Sequence, residues 1–173
     1  MTPGTRQHDT PHWQGAFIQR HRLGTAYLES AHKWFTPLVR DLAAHQKRAD
    51  RTLLVALNGC QGSGKTTVCD FLCTSLEQEH DVQAIAISLD DFYLTHAQRQ
   101  ALASSVHPLL ATRGVPGTHD MVLLRDTLEQ LLDAKPQAPV AIPRFDKSVD
   151  DRRPPSDWDH IASPVQVVIL EGW

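Results

Sequence analysis

The chain is poor in cysteine, carries no excess of basic residues and has no long apolar run. Its three cysteines, Cys60, Cys69 and Cys73, include no Cys-x2-Cys pair. That removes the usual spacing of a zinc ribbon or a redox dithiol. An odd count, in a chain without a signal-peptide pattern, leads to the expectation of reduced thiols in a cytoplasmic protein, packed near the segment 59–66 and the helix after it. Lysine and arginine number 17 against 20 acidic residues, a net charge of −3. No basic stripe stands out, so no nucleic-acid partner is expected. No apolar stretch reaches the roughly 20 residues of a membrane-spanning helix, so no membrane partner is expected either. Internal repeats and low-complexity tracts are absent. The remainder is ordinary: 173 residues, 41% apolar and 21% charged, which suits one globular domain with a core of its own. Composition leaves the oligomeric state open.

One segment stands apart from this background. Gly59-Cys60-Gln61-Gly62-Ser63-Gly64-Lys65-Thr66 fills every fixed position of the phosphate-binding loop, Gly-x4-Gly-Lys-[Ser/Thr]. The chemistry requires these residue types. Glycines let backbone N–H groups close on a polyphosphate. Lys65 brings a point charge to the outer phosphates, and the Thr66 hydroxyl can ligate Mg²⁺. The context also fits. Residues 52–57 are a short apolar run suited to a strand buried on both faces. Residues 65–79 follow without Gly or Pro, with Val68, Phe71, Leu72, Ser75 and Leu76 on one helical face. The helix N-terminus then adds its partial positive charge. Gly59, Gln61, Gly62, Ser63, Gly64, Lys65, Thr66 and Thr67 are the candidate nucleotide-binding residues.

Around this loop the chain divides into a loose polar leader (1–12), a helical segment (13–49) and an α/β core (50–173). In the helical segment Pro37 predicts a kink or break. Periodicity predicts strands over 82–87, 139–142 and 165–170, and helices over 95–104 and 121–133. A Pro- and Gly-rich loop covers 107–118, and a polar, proline-bearing stretch covers 143–164. Strand, helix, strand is the rhythm of a parallel sheet with helices on both faces. Ligands of such sheets gather at the carboxyl ends of the strands.

Acidic residues stand at those ends. Asp90 and Asp91 follow the second strand, and a carboxylate there can take the proton of an acceptor hydroxyl. Neighbouring side chains on extended backbone face opposite ways; Asp90 is the candidate base, and Asp91 is either structural or an organiser of the metal site. Glu171 ends the last strand and is the candidate partner of Thr66 for Mg²⁺. Asp120 fits two roles equally, substrate hydroxyl ligand or N-cap of the following helix. Residues 143–153, dense in both charges, suit a small anionic substrate or a solvated loop.

The motifs Ser88-Leu89-Asp90-Asp91-Phe92-Tyr93, Gly117-Thr118-His119-Asp120, Pro143-Arg144-Phe145-Asp146-Lys147 and Glu171-Gly172-Trp173, set behind the phosphate loop, resemble the uridine kinase, phosphoribulokinase and pantothenate kinase superfamily. Within it they are most similar to D-glycerate 3-kinase and its relatives. The resemblance covers residues 50–173. It implies a P-loop NTPase-type three-layer α/β fold, ATP and Mg²⁺ as cofactors, and γ-phosphoryl transfer to a hydroxyl of a small-molecule acceptor. It also implies catalytic roles for Lys65 and Asp90, and acceptor contacts from Tyr93, His119, Asp120, Arg144 and Lys147, the last two for a glycerate carboxylate. Members of that superfamily continue well past Glu-Gly-Trp with a basic lid and further strands. The resemblance therefore carries the expectation of a sheet lacking its later strands, and of nucleotide binding with weak or absent turnover. Another acceptor, such as a nucleoside or pantothenate, and a regulatory ATP-binding protein are the alternatives.

Overall fold

A computed structural model describes residues 12–133, 139–162 and 164–173. The leader expected at 1–12 lies, apart from His12, outside the described residues. Two helices come first, α1 (His12–His21) and α2 (Ala26–Arg48). The break between them is not at Pro37, which lies inside α2. It falls at residues 22–25, where Arg22 takes φ 54° and the Leu23 N–H returns to the Ile18 carbonyl at 3.0 Å. A left-handed residue at a helix end satisfies the last carbonyls and turns the chain.

Strand β1 (Leu53–Asn58) leads through the glycine-rich loop into α3 (Lys65–His80) and then β2 (Ala84–Ser88). Next come α4 (His96–Ser105) and α5 (Met121–Leu132), then four short strands: β3 (Val140–Ile142), β4 (Phe145–Asp146), β5 (Asp151–Arg152) and β6 (Asp159–Ile161). Strand β7 (Val167–Gly172) is last in sequence but central in space. It inserts between β1 and β2, parallel to both. The two outer strands thus never touch, and the register sets Leu57, Glu171 and Ser88 level with one another.

One face of this sheet packs on α3, which α1 and α2 cover in turn. Phe17, Ala31, Val39, Phe71, Leu72 and Leu76 are buried there with Val167 and Ile169. The Phe71 ring lies 5.4 Å from Trp13, 5.5 Å from Phe17 and 6.0 Å from Phe35 between centroids, each such pair adding ~0.5–1.5 kcal/mol beyond burial. The other face packs Ile87 and Val168 against Leu124 and Leu131 of α5 and Val140 and Ile142 of β3. Helices on both faces of a parallel sheet are the expected architecture. Two details differ from expectation. β1 buries one face only: Leu54, Ala56 and Asn58 are exposed, because α5 sits over β2 and β7. The segment 143–153, expected as a loop, and the polar stretch after it also contain strands. They carry the β4–β5 hairpin and β6, and β6 pairs antiparallel with β3 outside the main sheet.

Candidate active site

A cavity of about 1240 Å³ opens at the carboxyl ends of β1, β7 and β2. Its floor is the glycine-rich loop. Gly62 and Gly64 adopt φ of 75° and 84°, which other residues reach only with strain. Gly59 is crowded for a different reason: a Cβ there would stand 3.0 Å from Ser63 Oγ and 3.3 Å from Lys65 Cγ, so those side chains would have to give. Ser63 N–H donates to the Cys60 carbonyl at 3.2 Å, and Lys65 Nζ donates to the same oxygen at 3.0 Å. Helix α3 starts at Lys65 with no acid in its first turn, so nothing within that turn offsets its partial positive charge.

Beside the loop, Thr66 Oγ1 donates to Glu171 Oε1 at 3.2 Å. Glu171 is 8% exposed on the central strand, and Gly172 follows because Leu89 approaches: a Cβ at Gly172 would lie 3.3 Å from Leu89 Cβ. The Gly172 carbonyl accepts from Gly59 N–H at 3.1 Å, which ties strand end to loop. A hydroxyl and a carboxylate oxygen side by side suit a hard oxygen-seeking cation such as Mg²⁺, whose remaining positions water and phosphate oxygens would fill.

On the β2 side the chain enters a short 3₁₀ turn, Leu89–Phe92. Asp90 there faces the cavity. Its Oδ1 accepts from the Tyr93 hydroxyl at 3.2 Å and its Oδ2 from Lys147 Nζ at 2.6 Å. Burial opposes its charge, but the Lys147 ammonium and the Tyr93 hydroxyl outweigh it and hold the carboxyl below its ordinary value. Asp91 lines the cavity too, and it accepts from Arg144 Nη1 at 2.7 Å and from Phe145 N–H at 3.0 Å. These bonds tie the 143–153 segment to the turn, as a structural role requires.

No family model matches the chain. It is 36% identical over 144 residues to an uncharacterized kinase of Schizosaccharomyces pombe, mug58, an alignment covering 79% of this chain and 51% of that protein. It is 36% identical over 129 residues to the chloroplastic D-glycerate 3-kinase of Arabidopsis thaliana, covering 70% of this chain and 28% of that one. The solved D-glycerate 3-kinase of Cryptococcus neoformans superposes with a TM-score of 0.69 at 31% identity, over 87% of this chain and 52% of that one. The chain is thus similar to D-glycerate 3-kinases and has the fold of the P-loop kinases. It spans about half, or less, of the length of these relatives.

Within this kinase frame the candidate residues separate into two groups. Gly59, Gln61, Gly62, Lys65, Thr66, Asp90, Tyr93, Arg144, Lys147 and Glu171 line the one cavity. Ser63, Gly64, Thr67, His119 and Asp120 do not line it. His119 stacks on the Tyr93 ring at 4.3 Å between centroids, and burial pushes it below its ordinary value against the pull of Asp90. Asp120 caps α5 through Oδ1, which accepts from Leu123 N–H at 3.0 Å, while Oδ2 accepts from Arg152 at 3.0 Å. The capping role is thus realised, and both carboxylate oxygens have protein partners. Arg144 is similarly committed: besides Asp91 it donates from Nε to Asp159 at 2.7 Å. Burial opposes its charge, yet Asp159 and Asp91 raise its proton affinity. Its guanidinium is shared between two carboxylates while it lines the cavity wall.

The residues that sequence reasoning missed are the internal partners of this wall. Arg152 donates to the Tyr93 carbonyl at 2.7 Å and to Asp120, stapling the Asp90 turn to the start of α5. Arg99 of α4 is fully buried and bound to Asp150. Nothing in a short polar helix marks one arginine as interior, so no sequence signal announced it. Cys69 is buried and Cys73 half-buried, as packed thiols would be, while Cys60 is exposed in the loop. Burial pushes Cys69 up to about 11 and Cys73 up to about 12, so both stay protonated and inert. No helix among the described residues is long and apolar enough to cross a membrane.

Proposed function

We propose that this chain carries the catalytic centre of an ATP-dependent kinase that phosphorylates a hydroxyl of a small hydroxy acid, D-glycerate being the favoured acceptor. One observation carries the reading. The phosphate loop, the Thr66–Glu171 pair and Asp90 follow or end three adjacent parallel strands, level in register, and open into one cavity. A nucleotide binder needs the loop alone; phosphoryl transfer to a hydroxyl also calls for a carboxylate base facing it. The likeness to D-glycerate 3-kinases supports the choice of acceptor.

The residues divide the work as follows. Backbone N–H groups of residues 59–66 and Lys65 cradle the outer phosphates, with the α3 N-terminus behind them. Thr66 and Glu171 would hold Mg²⁺, which neutralises charge on the phosphate oxygens when bound. Asp90 accepts the proton as the acceptor oxygen bonds to the γ-phosphorus and the bond to the bridging oxygen breaks, releasing ADP. Tyr93 fixes the Asp90 carboxylate. Lys147, 57% exposed and 2.6 Å from Asp90, is long enough to turn to an acceptor carboxylate. That movement would remove the cation which lowers the basicity of Asp90. The free thiols fit the reducing cytoplasm.

The test is an ADP-release assay with D-glycerate, uridine and pantothenate as separate acceptors, with the Asp90→Asn protein as control. Acceptor-dependent ADP release with D-glycerate, lost in Asp90→Asn, is expected. Release with uridine or pantothenate alone would replace the acceptor, and tight ATP binding without release for any acceptor would leave a binding protein.

A further inference from the structure

Arg113 has no role in the scheme above, yet it lines the same cavity. Its Nη1 donates to Asp150 Oδ1. The same carboxylate serves Arg99, whose Nη2 lies 2.9 Å from Asp150 Oδ2 and 2.6 Å from the Asp150 carbonyl. Two guanidiniums therefore share one negative charge. The neighbouring His96 Nδ1, 3.7 Å from Asp150, adds no further negative charge. Burial opposes ionisation of Asp150, but Arg99 and Arg113 overcome it and keep it a carboxylate.

Exposure decides where the surplus positive charge faces. The Arg99 side chain is 0% exposed and that of Arg113 34% exposed. Arg99 also donates to the Ala111 carbonyl, so it takes the larger share of the acceptors. An excess of charge on a part-buried cavity wall favours an anion beside it. The Phe145 ring sits 5.7 Å from the Arg99 guanidinium carbon and 5.9 Å from that of Arg113, a contact that orients planar guanidinium groups. The position is also close to the reacting groups. A Cβ at the adjoining Gly114 would lie 3.8 Å from the Tyr93 hydroxyl, which itself donates to Asp90 at 3.2 Å.

We propose that Arg113 is a specificity-determining residue that binds the anionic group of the acceptor, with its surplus charge set by the Arg99–Asp150–Arg113 cluster. This rests on the acceptor being a small hydroxy acid. Arg144, bound by Asp91 and Asp159, is the poorer choice for that task, although both arginines line the cavity.

The experiment measures equilibrium binding of D-glycerate, and separately of a non-hydrolysable ATP analogue, to the wild type and to the Arg113→Gln and Arg113→Lys proteins. Loss of a charge-assisted contact predicts at least about tenfold weaker D-glycerate binding in Arg113→Gln. Part of the affinity should return in Arg113→Lys, with nucleotide affinity unchanged in both. D-glycerate affinity within about twofold of wild type in Arg113→Gln, by the same reasoning, overturns the assignment and leaves the acceptor class standing. An equal loss of nucleotide affinity in both variants marks a structural residue and overturns it too. A wild-type protein that binds no hydroxy acid overturns the acceptor class, and this inference with it.

Discussion

The two sides of the cavity are built by different means. The phosphate side is local: eight consecutive residues, the strand before them and the helix after them. Its recognition groups are backbone N–H donors, one lysine and one threonine. The side proposed for the acceptor is assembled from distant pieces. Asp90 meets Lys147, Asp91 meets Arg144, Asp120 meets Arg152, and Arg99 and Arg113 meet on Asp150. A site for polyphosphate can be built from backbone because phosphate is bulky, symmetric and highly charged. A site that must choose one small acceptor needs side chains at set distances, and these come from separate loops.

Substitutions on the two sides should therefore fail differently. The largest effect belongs to the base. Asp90→Asn should lower kcat by ~10²–10⁴-fold with ATP affinity unchanged; steady-state kinetics beside nucleotide titration checks it, and equal turnover would remove Asp90 from the chemistry. Next is Asp150→Ala, which strands the fully buried Arg99. Stability should fall by about 3 kcal/mol, read from urea denaturation, and a loss below about 1 kcal/mol, the scale of an exposed pair, would show that the cluster is not cooperative.

On the phosphate side, Gly59→Ala should weaken ATP binding by roughly tenfold, since the added methyl must displace Ser63 or Lys65. D-glycerate binding should be spared, which a titration of each ligand would reveal. Asp120→Asn is a smaller and more discriminating change. It keeps a capping oxygen and loses the ion pair to Arg152, so stability should drop by about 1 kcal/mol with little change in acceptor KM. A large rise in acceptor KM would return Asp120 to the binding site.

The smallest effect is in pH. Burial opposes the charges of Asp70, Asp90 and Asp150, yet their cationic partners hold all three below the ordinary carboxylate value. Each is more acidic folded than unfolded, so the unfolded chain binds more protons in acid. Their stabilisation is present above about pH 4, the unfolded carboxylate value, and is lost as pH falls through the folded values. Thermal melts between neutral pH and pH 3 should show the loss. Asp70→Asn, which frees Arg20 and His21 on α1, should blunt part of it.

Legibility in the sequence follows the same division. The loop, its flanking strand and helix, and the acids at the strand ends were readable because the relevant spacing is short and the residue types are scarce. Whether Pro37 would kink or break the helical segment was not legible, since a proline inside a helix and one ending it look alike along the chain; the break falls at residues 22–25 instead. The open face of β1 was missed because apolar content at Leu54 and Ala56 does not say whether a helix covers them. The pairing of Asp120 with Arg152, 32 residues away, could not be read along the chain.

The residue order by itself determined that this chain holds a phosphate cradle with an acid at each neighbouring strand end, because hydrogen-bonded turns and strand–helix junctions act over a few residues. Only the tertiary structure decided that β7 lies between β1 and β2, which sets Glu171 against Thr66. It alone showed that Arg113, Arg144 and Lys147 line the cavity, each paired with a carboxylate, while Asp120 pairs with Arg152 away from it. Pairing of charges depends on distance in space, and a chain folded through a crossover sheet makes that distance independent of separation along the sequence.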